Sequence, residues 1–306
     1  MTPRTRNGYL LCLAAAALWA GTAPLIGYLL DRGVPRLPLA LWRDVFVALA
    51  CLGVVGALRP RALRLGRIEL RGVVITGVVA VGIYHAIWVW SVALNGAAVA
   101  VVLIYLYPAF VTLAGWLFDG ERLGAAQVAA LVLALLGLAL VVRVYDPAVL
   151  RLNWLGAVVG ILSALTHTIY VLFNQRAVTT INPIASLGFT MLFGSLTLLA
   201  LNLIVAPTEI FAVGSAENWA LLALLGLVPT LGGYALFTMA LRYIPGKTAS
   251  LLSVVEAPIT ALIAWAWLGD RLEGLQLVGM ALVLFAITLP RLAELRRPAT
   301  AVVDIS

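Results

Sequence analysis

Two stretches of this chain follow one pattern: YPAFVTLAGWLFDGERL covers Tyr107–Leu123, and APITALIAWAWLGDRL covers Ala257–Leu272. In each, a proline lies inside an apolar segment that ends in glycine, an acid, arginine and leucine, and the two prolines are 150 positions apart. The same separation, or one residue less, relates Gly82 to Gly232, Tyr84 to Tyr234 and Gln127 to Gln276. Because the chain has 306 residues, a separation near half its length predicts a duplicated unit.

The composition predicts that this unit lies in a lipid bilayer. Hydrophobic residues make up 63% of the chain, charged residues 11%, and the mean hydropathy is +1.08. A soluble domain of this size could not bury so many apolar side chains. The formal net charge of +7 would suggest nucleic acid as the partner of a soluble protein, but here the arginines cluster between apolar segments. We therefore expect a lipid bilayer around the chain and no bound nucleic acid.

Ten segments are apolar over about the 20 residues that a membrane-spanning helix needs. These segments are 8–30, 38–58, 72–93, 97–118, 125–143, 154–175, 183–206, 217–241, 248–268 and 274–290. Several connections between them are only a few residues long, which predicts that neighbouring helices are antiparallel. The sequence thus predicts an all-α integral membrane protein with ten transmembrane helices.

The basic residues predict the orientation of these helices. Most of the 20 lysines and arginines lie in segments that face the cytoplasm if the amino terminus does. Both termini are therefore predicted to be cytoplasmic, with residues 291–306 forming a cytoplasmic tail. The expected location is the cell inner membrane.

Each half of the repeat, 8–143 and 154–290, contains five predicted spans. Because five is an odd number, the second half must enter the membrane from the opposite face. The two halves are then inverted repeats, related by a pseudo-two-fold axis in the membrane plane. Inverted repeats hold a substrate site near the bilayer midplane and exchange between two pseudo-symmetric states. The topology therefore predicts a carrier that works by alternating access.

One set of motifs occurs in both halves. In the second half it comprises Gly246–Ser250, Glu256-Ala257-Pro258, Leu268–Leu272 and Gly279. In the first half it recurs in weaker form as Ala97–Ala100, Tyr107-Pro108, Gly120–Leu123 and Gly137, and outside this doubled set the first two spans carry Leu18–Gly21 and Arg43. This doubled set resembles the EamA family of the drug/metabolite transporter superfamily, and within it the chain is most similar to YddG-type exporters of aromatic amino acids. The resemblance implies a ten-helix carrier that exports small metabolites, and it leaves the substrate open.

Charged residues lie well inside two of the predicted spans, Arg43-Asp44 in the second and Glu256 in the ninth. A charge at the depth of Glu256 is costly unless it is solvated or paired, so Glu256 is expected to contact a substrate amine or to carry a proton. The alternative is a neutral acid, or one bonded to a backbone group that Pro258 leaves free. Arg43 lies within about two turns of the interface and could attract a carboxylate. A structural role, in which Arg43 snorkels or clamps a neighbouring helix, is the expectation.

The two histidines, His85 and His167, also lie inside spans. No suitable spacing of other ligands accompanies them, so no metal site is predicted. Each could couple protons to transport or could donate a single interhelical hydrogen bond. The chain has no nucleotide-binding motif of the form G-x-x-x-x-G-K-[ST]. No cofactor is therefore predicted, and ATP-driven transport within this chain is excluded.

Several aromatic residues are placed well inside the spans, although Tyr and Trp favour the membrane interfaces. Their polar groups must be satisfied internally or face water, so they are predicted to line a cavity suited to an aromatic or amphipathic solute. Helix packing is the alternative. With the ionisable residues, the predicted cavity set is Tyr84, His85, Trp88, Tyr105, Tyr107, His167, Tyr170, Tyr234 and Glu256.

Prolines interrupt four of the predicted spans. Each removes a backbone donor and frees the carbonyl four residues earlier, which bends the helix and exposes polar backbone. The predicted hinges are Pro24, Pro108, Pro229 and Pro258. The substrate path is therefore predicted to lie between the third, fourth, eighth and ninth spans, with the first and sixth beside it.

These patterns predict a secondary transporter, not an enzyme, that exports a small metabolite such as an aromatic or neutral amino acid. Protons are a candidate coupling partner. The main alternative is an exporter of other drugs or metabolites, including phosphorylated or sugar-linked solutes, for which several basic cavity residues would be expected. A channel would favour symmetry about the membrane normal. An intramembrane enzyme would need a compact acid/base or metal cluster, whereas the ionisable residues of this chain are scattered.

Overall fold

The computed structural model describes residues 2–120, 124–150, 153–263, 265–266 and 271–295. Within these residues the chain is almost entirely helical and contains no strand. The turn motifs at 121–123 and 268–270 lie outside the described residues, as does the part of the predicted tail at 296–306.

Ten apolar helical segments run through the described residues. They are α1 (Pro3–Asp31), α2 (Arg36–Leu58), α3 (Arg67–Gly96), α4 (Ala98–Phe118), α5 (Ala125–Val141), α6 (Trp154–Ala177), α7 (Pro183–Val205), α8 (Ala216–Ala240), α9 (Gly246–Ile263) and α10 (Gly274–Leu295). Among the described residues, nine are long and apolar enough to span a membrane, and α5 is a shorter apolar helix of 17 residues. This confirms the predicted all-α fold of ten helices.

The helix ends differ from the predicted spans where polar residues extend a helix beyond its apolar core. α3 begins at Arg67 and not at residue 72, because the Gly66 amide donates a hydrogen bond of 2.8 Å to the Glu69 carboxylate and so stabilises an earlier start. α10 continues to Leu295, so the predicted tail at 291–306 begins inside a helix. Hydropathy identifies the apolar core of a span but not its cap.

Two kinds of helix irregularity recur at the repeat distance. α3 contains a π-helix at Val78–Ile83, and α8 contains one at Gly226–Thr230. α4 is broken at residues 105–106, and α9 is broken at residues 254–255. The backbone geometry is therefore duplicated together with the sequence motif.

The helix contacts follow the symmetry expected of inverted repeats. The most extensive contacts join α5 to α10, α2 to α7, α3 to α6 and α1 to α8. If the first five helices correspond in order to the last five, the contact of α1 with α8 is the counterpart of the contact of α6 with α3. The α2–α7 and α5–α10 contacts each join a helix to its own counterpart across the axis. In the α5–α10 pair, a Cβ on Gly137 would lie 2.7 Å from the Gly279 carbonyl oxygen. Glycines thus permit direct backbone contact across the axis.

Candidate functional site

A cavity lies between the two halves of the bundle, where α3, α4, α8 and α9 meet α1, α2 and α6. Its volume is about 80 Å³, which leaves room for several water molecules. Eight of the nine predicted cavity residues line it. They are Tyr84, His85, Trp88, Tyr105, Tyr107, His167, Tyr234 and Glu256. The structure thus brings together residues that are far apart in the sequence.

Tyr170 is the predicted residue that does not line this cavity. It is fully buried, and its hydroxyl pairs with the Thr238 hydroxyl at 2.9 Å. Its ring packs edge-on against the ring of Tyr234, with centroids 5.1 Å apart, and is stacked on His167 at 5.8 Å. Because its hydroxyl is satisfied by a neighbouring helix, Tyr170 supports the cavity wall from behind.

The breaks in α4 and α9 contact each other at this cavity. The Tyr105 hydroxyl donates a hydrogen bond to the Glu256 carboxylate and lies 3.1 Å from the Ser253 carbonyl oxygen. The Tyr107 hydroxyl pairs with the Ser253 hydroxyl. Discontinuous helices are tolerated at membrane depth where they border a cavity and expose polar backbone to it. The crossing of the two breaks therefore places an acid and two phenols in the cavity wall.

A chain of buried polar side chains connects α2, α3 and α8. Arg43 Nε donates to Asp44 Oδ1 at 3.1 Å, and Asp44 Oδ2 lies 2.5 Å from His85 Nδ1. His85 Nε2 lies 3.2 Å from the Tyr234 hydroxyl. With Asp44 ionised, His85 donates from Nδ1 and accepts the Tyr234 proton at Nε2. The network fixes the orientation of the imidazole and brings one side chain of each half into contact.

Aromatic rings form the remaining wall of the cavity. The Tyr84 ring lies 4.9 Å from His85 and 5.1 Å from His167, measured between centroids. His167 also meets the Tyr107 ring edge-on at 4.6 Å. Such tilted and edge-on contacts are the preferred geometries of aromatic pairs. The described residues contain no group of three His, Cys, Asp or Glu side chains that could hold a metal ion.

All four predicted hinge prolines lie at helix irregularities. Pro108 and Pro258 closely follow the breaks in α4 and α9, and Pro229 lies inside the π-helix of α8. The Leu225 carbonyl, four residues before Pro229, accepts a bond of 2.8 Å from the Thr230 hydroxyl. The freed carbonyl is thus satisfied by a side chain within the same helix.

The effect of Pro24 is seen one helical turn earlier, at Ala20. The helical pattern of α1 is interrupted at residues 20–21, and the Ala20 carbonyl, which Pro24 leaves without its amide donor, accepts a bond of 3.1 Å from the Thr260 hydroxyl of α9. This bond joins the first half to the second beside Glu256. Movement at any of these four prolines during transport remains a prediction.

Sequence analysis missed several residues of the cavity wall. Trp19, Thr22, Arg43 and Thr230 line it beside the predicted set. Arg43 was expected to act structurally, yet its side chain faces the cavity and its Nη2 atom has no hydrogen-bond partner among the described residues. The indole of Trp19 packs directly against Gly233 of α8: a Cβ on Gly233 would lie 2.3 Å from the indole nitrogen. Only a glycine lets this ring approach α8.

Comparison with protein families gives one match that covers both halves of the chain. The EamA-like transporter family matches residues 6–143 and again residues 154–290. The two matched regions correspond to the two sets of five helices.

Individual relatives include transporters of bacteria. A probable terminal-alkyne amino-acid exporter of Streptantibioticus cattleyicolor is 30% identical over 275 residues, which are 89% of each chain. The uncharacterized inner membrane transporter YicL of Salmonella typhimurium is 25% identical over 300 residues, 97% of this chain and 99% of the relative. One crystal structure, 19% identical, matches with a TM-score of 0.79 over 95% of this chain and 99% of its own. At that identity the likeness concerns the fold alone.

Proposed function

Because this chain belongs to the EamA-like transporter family, we propose that it is a secondary exporter of amino acids with aromatic or other uncharged side chains. The solute binds in the cavity between the two halves and is exposed to each side of the membrane in turn. The observation that carries this proposal is the contact between Tyr105 and Glu256, which places an acid among aromatic rings where the two broken helices meet.

The chemistry of the cavity fits an amino acid. A carboxylate such as Glu256 forms strong, charge-assisted hydrogen bonds with an ammonium group. Aromatic rings such as Tyr84 and Trp88 stack on an apolar or aromatic side chain. The relative named as a probable amino-acid exporter, 30% identical over 89% of this chain, supports the same substrate class.

A phosphorylated or sugar-linked solute fits this cavity less well. Such solutes are bound by several lysine or arginine side chains. Among the described residues that line the cavity, Arg43 is the one permanently cationic side chain. Its charge matches a single carboxylate better than a phosphate group.

Alternating access requires that two similar units exchange roles. We take these units to be residues 8–143 and 154–290, each with a π-helix and a broken helix in corresponding positions. Such irregularities let a helix bend without leaving backbone groups unsatisfied. The cavity would open towards one face when one half bends and towards the opposite face when the other half bends.

The proposed location is the cell inner membrane, with both termini in the cytoplasm. The segment between α2 and α3, together with the first turns of α3, carries a dense group of exposed arginines at the end of the bundle where the chain begins. Basic residues of this kind remain on the cytoplasmic side. They are Arg59, Arg61, Arg64, Arg67 and Arg71.

The proposal is tested by uptake into liposomes that contain the purified protein. A panel of labelled amino acids is offered with and without an imposed pH gradient. We expect saturable uptake of aromatic or neutral members, and acceleration by the gradient would identify proton coupling. If the gradient accelerates the uptake of no amino acid in the panel, transport is facilitated exchange without proton coupling. Indifference to every amino acid would contradict the substrate class.

A further inference from the structure

Arg43 is a buried cation with an unused hydrogen-bond donor. The residue is 2% exposed and faces the cavity, and its Nη2 atom has no partner among the described residues. A buried donor left unsatisfied destabilises the folded protein, and more so when the donor is charged. Nη2 is therefore expected to have an acceptor in addition to the Asp44 carboxylate that Nε uses. Here the cavity is the place from which an acceptor can come.

The two structural roles considered for Arg43 do not fit its contacts. Snorkelling would bring the guanidinium to the membrane interface, but the side chain is buried. Clamping a neighbouring helix would require a bond to that helix. The hydrogen bond that the structure gives Arg43 runs instead to Asp44, the next residue of α2, at 3.1 Å.

We propose that the guanidinium of Arg43 binds the carboxylate of the transported solute. This inference rests on the proposed function and names the group that recognises one end of the amino acid. Asp44 holds Nε, and its other oxygen is engaged by His85 at 2.5 Å. The structure gives Asp44 no bond to Nη2, and the outer edge of the fork is left for a ligand. Planar donor pairs of this kind match a carboxylate.

The other end of the solute faces the other half of the bundle. Arg43 belongs to α2, in the first half, and Glu256 belongs to α9, in the second. One cavity thus holds a cation and an acid, each on a different half. A zwitterion satisfies both, whereas an amine or a carboxylate alone satisfies one. Binding of a zwitterion would therefore hold the two halves together.

Two further polar atoms on the same wall have no partner among the described residues. They are the Thr22 hydroxyl and the Nδ1 atom of His167. A solute carboxylate has two oxygens, which offer about four acceptor positions. Arg43 can donate to two of these positions, so the Thr22 hydroxyl of α1 could donate to another position of the solute carboxylate. The cavity wall thus holds three polar groups without partners among the described residues, on Arg43, Thr22 and His167.

The test compares three labelled probes in exchange assays on liposomes that contain the full chain. They are L-phenylalanine, phenethylamine, which lacks the carboxylate, and 3-phenylpropionate, which lacks the amine. We expect the wild type to prefer phenylalanine to phenethylamine. In Arg43→Gln, phenylalanine exchange should fall by about tenfold, the scale of a lost charged hydrogen bond, and the preference over phenethylamine should disappear. Arg36→Gln, an exposed arginine at the start of α2, is the matched control and should behave as wild type.

Arg43→Lys keeps the charge and removes the planar fork. If Arg43→Gln does not fold, Arg43→Lys should still fold. It should retain only part of the preference for phenylalanine over phenethylamine. The ratio of the two probes is the deciding quantity, because a general loss of folded protein lowers both rates equally. A folded Arg43 variant that keeps the full wild-type ratio would overturn the assignment.

The wild-type results separate this inference from the proposed function. Exchange of 3-phenylpropionate without phenylalanine would contradict amino-acid export and support a carboxylate site, provided that Arg43→Gln abolishes it. Exchange of phenethylamine alone would overturn the role of Arg43 and also the zwitterionic substrate. Exchange of phenylalanine with an unchanged ratio in the variants would defeat the role of Arg43 and leave the proposed function standing. Exchange of none of the three would contradict export of aromatic amino acids and, with it, the role of Arg43 in binding them.

Discussion

The hydroxyl of Tyr105 donates a hydrogen bond to the carboxylate of Glu256, which lies 151 positions later in the chain. Each residue lies at the break of its own helix, and the two helices occupy corresponding places in the two halves of the repeat. The bond therefore joins the halves where the backbones of α4 and α9 both depart from helical geometry. A solute that competes for this carboxylate would change the contact between the halves.

Replacing Glu256 by glutamine should reduce amino-acid exchange by about tenfold or more, because it removes the charged partner of the substrate ammonium. Tyr105→Phe removes only the hydroxyl and should have a smaller effect. Initial rates in liposomes, normalised to folded protein, provide the measurement. Glu209→Gln, at an exposed acid between α7 and α8, is the control. Wild-type rates in Glu256→Gln would remove this residue from the site.

Tyr84→Ala should raise the KM for aromatic amino acids more than the KM for alanine. The Tyr84 ring lies between His85 and His167 in the cavity wall, and stacking with a solute ring contributes about 0.5–1.5 kcal/mol beyond its burial. The measurement is the concentration dependence of exchange for phenylalanine and for alanine. An equal change for both solutes would mean that the ring only packs the helices. Tyr28→Ala, at a residue 49% exposed on α1, should leave both constants unchanged.

Gly137→Ala should destabilise the protein by about 1–3 kcal/mol, the usual cost of overpacking. Its Cβ would lie 2.7 Å from the Gly279 carbonyl oxygen, a backbone atom that cannot rotate away. The matched control is Gly27→Ala, because a Cβ at Gly27 meets nothing within 4 Å. Thermal unfolding in detergent should show a lower Tm for the first variant and not for the second. Equal Tm values would contradict the close contact of α5 with α10.

The proposed orientation predicts the sidedness of two surface positions. Thr179 follows α6, Thr208 follows α7, and both are exposed. A membrane-impermeant maleimide applied to intact cells should label Thr208→Cys and not Thr179→Cys. The native cysteines, Cys12 and Cys51, are 0% and 2% exposed and should give little background. Labelling of the opposite position alone would invert the proposed orientation.

The fold was more predictable than the site. Helix number follows from hydropathy, and the recurrence of Pro108 and Pro258 indicates the duplication, since both are local properties of the sequence. The cavity set was largely found because polar and aromatic residues are costly in a bilayer unless they are satisfied. Tyr170 shows the limit of that argument: Thr238, 68 positions away, satisfies its hydroxyl, and such a partner cannot be identified from one sequence.

Arg43 illustrates the opposite error. Its distance from the end of α2 favours snorkelling, and an arginine followed by an aspartate suggests a local ion pair. The pair does form, but it uses only Nε and leaves Nη2 without a hydrogen-bond partner among the described residues. Which atoms of a guanidinium are engaged depends on the packing of several helices at once. This information is available only from the three-dimensional structure.

The central claim is that this chain is a carrier with one saturable site between its two halves, and counterflow in liposomes tests it most directly. Vesicles loaded with unlabelled phenylalanine are placed in a trace of the labelled amino acid. A carrier should show transient accumulation of label that saturates as the external concentration rises and requires the unlabelled solute inside. Flux that increases linearly with concentration and ignores the internal solute would contradict this claim.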